Sequence, residues 1–195
     1  MAFWNEASSN PKRNYRWLLT IDGFGTDSVV WWAKTVNTPS FDVSEVEHNY
    51  FDNKFYFPGR VSWSEVEATL VDPVSPDAAD LTLEILKNSG YNIANDTSKA
   101  KSTISKNKAV TEGVKAVKIE LYDAGDLNQN PTPLETWHLK NVFIKAAKFG
   151  DLDYSNDELR TISLTFRYDW ATCDINGGNS YFNTGQSMGG GPNQV

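Results

Sequence analysis

The chain is poor in the residues from which most enzymes build reactive centres. It holds one cysteine, two histidines and two methionines in 195 residues. A single thiol, Cys173, excludes an internal disulfide framework and any thiolate-rich metal site. His48 and His138 stand alone in extended, aromatic or polar segments, and no nucleophile pattern accompanies either. There is no G-x-S-x-G elbow and no phosphate-cradling glycine loop. No apolar run approaches the ~18 residues that a membrane-spanning helix needs. The opening stretch MAFWNEASSNPKRNYRW lacks the apolar block of an export signal. These absences predict a protein with no catalysis, no cofactor, no metal and no membrane partner.

One stretch tests that expectation. GDLDYSNDE, residues 150–158, offers Asp151, Asp153 and Ser155 at the spacing of a calcium loop. Such a loop needs glycine at its sixth position and a bidentate acid at its twelfth, which here are Asn156 and Ile162. The run therefore reads as a solvated turn whose Asn and Asp side chains bond their own backbone.

Aromatics and charge are plentiful. Seven tryptophans and an aromatic share of 13% favour strands, and the net charge is −7. Residues 90–118 carry six lysines against Asp96 and Glu112, so the rest of the chain is strongly acidic. An acidic body disfavours nonspecific attachment to nucleic acid, itself a dense polyanion.

Along the chain, residues 1–14 read as a polar arm and 15–22 as an alternating strand, followed by a turn at Gly23 and Gly25. Residues 29–36 are apolar on both faces, and Trp31 and Trp32 cannot both point inward. One of that pair is the best candidate for contact with something outside the monomer. Residues 41–57 are extended, with a turn at Asp52-Asn53 and Pro58-Gly59 as the close. In 61–71, Val61 and Trp63 have one parity and Val66, Ala68 and Leu70 the other, which predicts a bulge near Ser64-Glu65. The same slip between Trp137/Leu139 and Val142/Ile144 predicts a bend near Lys140-Asn141. Ser75 as cap, Pro76 at the first position and Gly90 as stop frame one helix, with Ala78, Leu81 and Ile85 as its buried face. Residues 92–113 read as a long, partly mobile polar loop, 114–122 as a strand and 123–133 as a connector. The last strand alternates Ile162, Leu164, Phe166, Tyr168 and Trp170 inward, with Trp17, Trp63 and Trp137 at core parity elsewhere. A flexible glycine-rich tail follows. The fold expected is mainly β: an antiparallel sandwich or barrel of about six or seven strands with one packed α-helix. The domain is 1–170, its core 15–170, with 171–195 as a C-terminal extension.

The order of YRWLLTID, AKTVNTPSFDVSEVE, PGRVSWSEVEATLVDP and WHLKNVFIKAAKFGDLDYSNDELRTISLTFRYDW resembles the tail tube proteins of contractile-tailed bacteriophages, in the superfamily that includes the type VI secretion tube. The 92–113 loop and the C-terminal extension depart from that pattern. The resemblance implies hexameric rings that stack helically into a hollow tube. The partners it implies are the sheath, baseplate and tail terminator proteins. The conduit would carry genomic DNA without specific binding, in a virion assembled in the host cytoplasm. Under it, Glu65, Glu67, Ser163 and Thr165 become candidates for the lumen wall. Trp31, Trp32, Lys99, Lys101, Lys106 and Lys108 become candidates for subunit contacts, the lysines lying away from the channel. A secretion-system tube is the alternative within the architecture. A tryptophan-rich carbohydrate-binding module, stacking sugars on exposed rings, is the alternative outside it.

Overall fold

Both parity slips fall where the chain leaves one sheet and enters another. The computed structural model describes residues 12–23, 30–92, 103–123, 132–155, 157–175 and 179–182. These residues form eleven strands: β1 (Trp17–Asp22), β2 (Ala33–Val36), β3 (Phe41–Tyr50), β4 (Asn53–Trp63), β5 (Val66–Val71), β6 (Ala116–Tyr122), β7 (Pro133–Lys140), β8 (Phe143–Lys148), β9 (Thr161–Arg167), β10 (Trp170–Ile175) and β11 (Asn179–Tyr181). One antiparallel sheet has the order β1-β6-β7-β10-β11 and a second has β2-β5-β9-β8, while β3 and β4 form a separate two-stranded ribbon. Ser64-Glu65 is thus no bulge inside a strand. It is the step from the ribbon to the second sheet, where the Ser64 N–H donates to the Ser40 carbonyl at 2.8 Å. Asn141 is the step from β7 in the first sheet to β8 in the second, with φ 55° and Val142 fully buried beside it. Strands that switch sheets make the corners of a sandwich.

A third corner went unread in the sequence. Ile162, Leu164, Phe166 and Tyr168 do point inward, but the strand ends at Arg167 and the chain turns into the first sheet. Inward parity passes to Ala171 and Cys173 on β10, and Trp170 is partly exposed. The expected end of the folded domain at Trp170 is accordingly the start of a strand paired with β7, Trp170 opposite Lys140 and Cys173 opposite Trp137. The two corners are tied together. Asn141 Nδ2 donates to Asp169 Oδ2 at 2.7 Å, and the Asp169 N–H donates to the Lys140 carbonyl at 3.1 Å.

Leu19, Ile21, Val117, Ile119, Leu139 and Ala171 of the first sheet meet Val66, Ala68, Leu70, Ile162, Leu164 and Phe166 of the second in one buried cluster. Helix α1 (Ala78–Asn88) adds Ala78 and Ile85 to it. Its cap is Asp77 rather than Ser75: the carboxylate accepts from the N–H groups of Ala79 and Asp80, at 2.8 and 3.1 Å. Gly90, at φ 102°, follows the last turn as expected. Part of the expected polar loop is also helical. Lys106–Lys108 begin a second helix, α2, capped by Ser105, and Ala109–Gly113 continue it as a wider turn with Ala109 and Gly113 buried. Gly113 lies so close to α1 that a side-chain carbon there would collide with Ser89 Oγ. Lys-Asn-Lys followed by a single large apolar residue, Val110, shows no helical face in sequence, because the residues this turn buries, Ala109 and Gly113, are small.

Candidate assembly surface

Hairpin β3–β4 leaves the sandwich and buries almost nothing of itself. The turn is Phe51-Asp52, with Phe51 at φ 52°, one residue earlier than expected. Pro58-Gly59 does not close the strand but lies within it. Val43 faces Val61 and Glu45 faces Pro58, so Gly59 and Arg60 together oppose Ser44 in a bulge. The Arg60 N–H donates to Ser44 Oγ at 2.8 Å.

The bulge divides the ribbon's apolar surface. Between it and the body, Phe41, Val43, Val61 and Trp63 share one face, in the register Phe41 opposite Trp63 and Val43 opposite Val61. Beyond it, Val46 opposite Phe57 and His48 opposite Phe55 share the other face with Tyr50. Along β3 the first set sits at odd positions and the second at even ones, and strand parity sends them to opposite sides. The far side of the tip is mixed, with Tyr56 and Pro58 among Glu45, Glu47, Asn49 and Lys54, and Glu47 is paired to Lys54 at 2.9 Å. Phe51 is 87% exposed at the end, its ring edge-on to Tyr50 with centroids 4.6 Å apart. Near the base, Phe41, Val61, Trp63, Trp170 and Phe182 line a shallow apolar hollow.

The second sheet's outer face is of the opposite character. Glu67 faces Thr165, Thr69 faces Ser163 and Val71 faces Thr161, all directed away from the core. Three of the lumen candidates read from the sequence, Glu67, Ser163 and Thr165, are thereby brought onto one surface. Glu65 lies at its corner, ion-paired with Lys145 and lying 3.6 Å from Arg167, so it neutralises cations that flank the face. The outer face of the first sheet carries a charged row instead: Lys118 bonds Glu120 at 3.0 Å, and His138 Nε2 lies 3.3 Å from Asp174. Burial lowers the His138 pKa, as do Lys140 and Lys118, against the raising effect of Asp174.

Of the tryptophan pair, Trp31 is 72% exposed and Trp32 only 7%, with Trp32 in the core. The two leave their turn in different directions, so the packing that buries Trp32 removes it as a subunit contact and turns Trp31 outward. Lys106 pairs with Asp169 at 2.6 Å, an ion pair that with Asn141 holds the Asp169 carboxyl below its usual range. Lys108 is exposed, and Lys99 and Lys101 lie outside the described residues, as do the polar arm before Lys12 and the glycine-rich tail after Phe182. The acidic run is a turn, as expected: Asp153 Oδ1 accepts from the backbone N–H and hydroxyl of Ser155, at 2.9 and 2.8 Å, and these bonds lower its pKa. No group of three or more His, Cys, Asp or Glu side chains suited to a metal occurs among the described residues. Cys173 is buried inside β10, and burial pushes its thiol pKa up.

A second apolar feature was missed in sequence. Leu83 and Leu86 of α1, Ile104 and Phe149 line a groove beside β8, the terminal strand of its sheet. Its wall includes five consecutive residues, Phe143 to Ala147, so it runs along the strand's edge rather than across one face.

No protein-family model and no curated protein sequence matches the chain. Solved structures do match its shape. A chain in the six-fold symmetrised baseplate of the anti-feeding prophage superposes with TM-score 0.60 at 14% identity, covering 88% of this chain and 99% of that one. A chain from the extended sheath/tube terminator of an extracellular contractile injection system gives 0.60 at 16%, covering 87% and 100%. One from the extended sheath–tube complex of such a system gives 0.58 at 15%, covering 90% and 99%. The chain shares its fold with chains of contractile injection particles. These neighbours give the carbohydrate-binding alternative no support.

Proposed function

We propose that this protein is a structural subunit that assembles with copies of itself into the inner tube of a contractile phage tail. The observation that carries the reading is the hairpin. A two-stranded ribbon that exposes Val46, Tyr50, Phe51, Phe55 and Phe57 is an unstable and aggregation-prone element in a monomer. It becomes a favourable one when a neighbouring copy covers it. Six copies close into a ring, consistent with the six-fold particle in which one similar chain sits. The rings stack, and the hairpin, projecting from the sandwich, reaches the next ring. A head-to-tail contact of this kind grows without a closed end.

The polar outer face of the second sheet lines the channel. Glu67, Thr69, Ser163 and Thr165 present hydroxyls and negative charge to the DNA, and Glu65 offsets Lys145 and Arg167 at the rim. A polyanion passes such a wall without being held. The sheath and baseplate contact the outside, and a terminator caps the end. Trp31 supplies a further contact between copies. The role is structural, with no chemical step.

Negative-stain microscopy of the purified protein at rising concentration tests the proposal. Rings or hollow filaments are expected. Single particles of monomer size at every concentration and salt would overturn it.

A further inference from the structure

The hairpin needs a receiving surface, and we infer that its tip docks into the groove between α1 and β8 of a second copy of this chain. The inference rests on the proposed self-assembly and names the partner surface. Two properties of the groove match the tip. First, β8 pairs with β9 on one side only, and the groove follows its other edge, where no strand among the described residues completes the ladder. Each strand of the two-stranded ribbon likewise has one unpaired edge. Two open edges of this kind satisfy each other by strand addition.

Second, a strand added beyond β8 extends the second sheet past its present limit and lays its inner face over α1. The apolar groups waiting there are Leu83, 53% exposed, together with Leu86 and Ile104. The tip brings Val46, Phe55 and Phe57 on a single face to meet them.

The bulge at Ser44 and Gly59 belongs to this arrangement. It lets the base of the ribbon keep its apolar side on Trp170 and Phe182 of its own chain, while the tip presents the opposite side to the neighbour.

Leu83→Glu and Phe55→Glu test the docking, with thermal melting to establish that each variant is folded. Both side chains are about half exposed and lie outside the buried core, so folding is expected to survive. Each change should raise the concentration at which assemblies appear at least about tenfold, the effect of losing one central apolar anchor. Mixed assemblies of Phe55→Cys and Leu83→Cys protein should form a disulfide-linked heterodimer under mild oxidation, since Cys173 is buried. Folded Leu83→Glu protein that assembles like the parent, with no heterodimer in the mixture, would overturn the inference. If Phe55→Glu then still blocks assembly, the hairpin reading stands and only the groove is wrong. If the unaltered protein never assembles, the self-assembly reading falls and this inference with it.

Discussion

Gly59→Ala is a one-methyl change that separates folding from assembly. A side-chain carbon at position 59 would collide with Ser44 Oγ and lie 2.9 Å from the Ser44 carbonyl oxygen. The hydroxyl can rotate away, at the loss of its bond from the Arg60 N–H, about 0.5–1.5 kcal/mol. The carbonyl cannot, so the strand must shift, which costs about 1–3 kcal/mol by analogy with overpacked sites. Together these amount to roughly 1.5–4.5 kcal/mol against the bulged register. A ribbon that loses its bulge no longer presents Val46, Phe55 and Phe57 on one face, because a one-residue slip reverses a strand's sides. None of these side chains belongs to the buried core. The penalty is therefore met by local opening of the hairpin, and the melting temperature should move by less than about 2 °C. Assembly should respond fully, its threshold concentration rising at least about tenfold since each ~1.4 kcal/mol is a factor of ten. Adding Ser44→Gly removes the hydroxyl clash and leaves the carbonyl clash, so rescue should be partial. Sedimentation velocity across a concentration series reads the threshold, and hydrogen exchange reads the hairpin. Gly59→Ala protein that polymerises at the parental threshold would refute the role given to the bulge.

Three further outcomes follow from the packing and charges. Leu164 is fully buried opposite Ala68 and Ala147, small neighbours that cannot close a gap; Leu164→Ala should cost about 2–5 kcal/mol in urea unfolding, toward the upper end. Asp77→Ala removes the cap of α1 and should cost about 1 kcal/mol, seen as a lowered unfolding midpoint. The folded state disfavours protonated His138, so the unfolded chain takes up its proton first as pH falls. Stability contributed by neutral His138 is present above its ordinary value of 6.5 and declines as pH drops from there toward the lowered folded value. His138→Gln should flatten that part of a melting-temperature profile, and an unchanged slope would assign it to other groups.

The inward residues of β1, β5 and β9 were legible because each strand keeps strict alternation with large apolar side chains. The corners were half-legible. Alternation records which side a residue faces but not which sheet its strand belongs to, so the steps at Ser64-Glu65 and Asn141 looked like irregularities within strands. At Tyr168–Ala171 the signal was absent, since bulky Trp170 continued the alternation of Ile162 to Tyr168 while the inward positions passed to small Ala171 and Cys173. The hairpin's length and aromatic content could be read, but not that both its sides are exposed. Which side its apolar residues take depends on the bulge, whose only trace in sequence is Pro58-Gly59. The α1–β8 groove joins residues from distant segments, and neither Leu83 nor Leu86 departs from an ordinary amphipathic helix.

Self-assembly into a channel walled by the second sheet is open to direct observation, by cryo-electron microscopy of assemblies grown from the purified protein. Stacked six-membered rings around an open channel are expected, with Glu67, Ser163 and Thr165 on the wall and each hairpin contacting the adjacent ring. A solid or irregular aggregate, or a channel lined by the lysines of α2, would contradict both the tube and the part given to the second sheet.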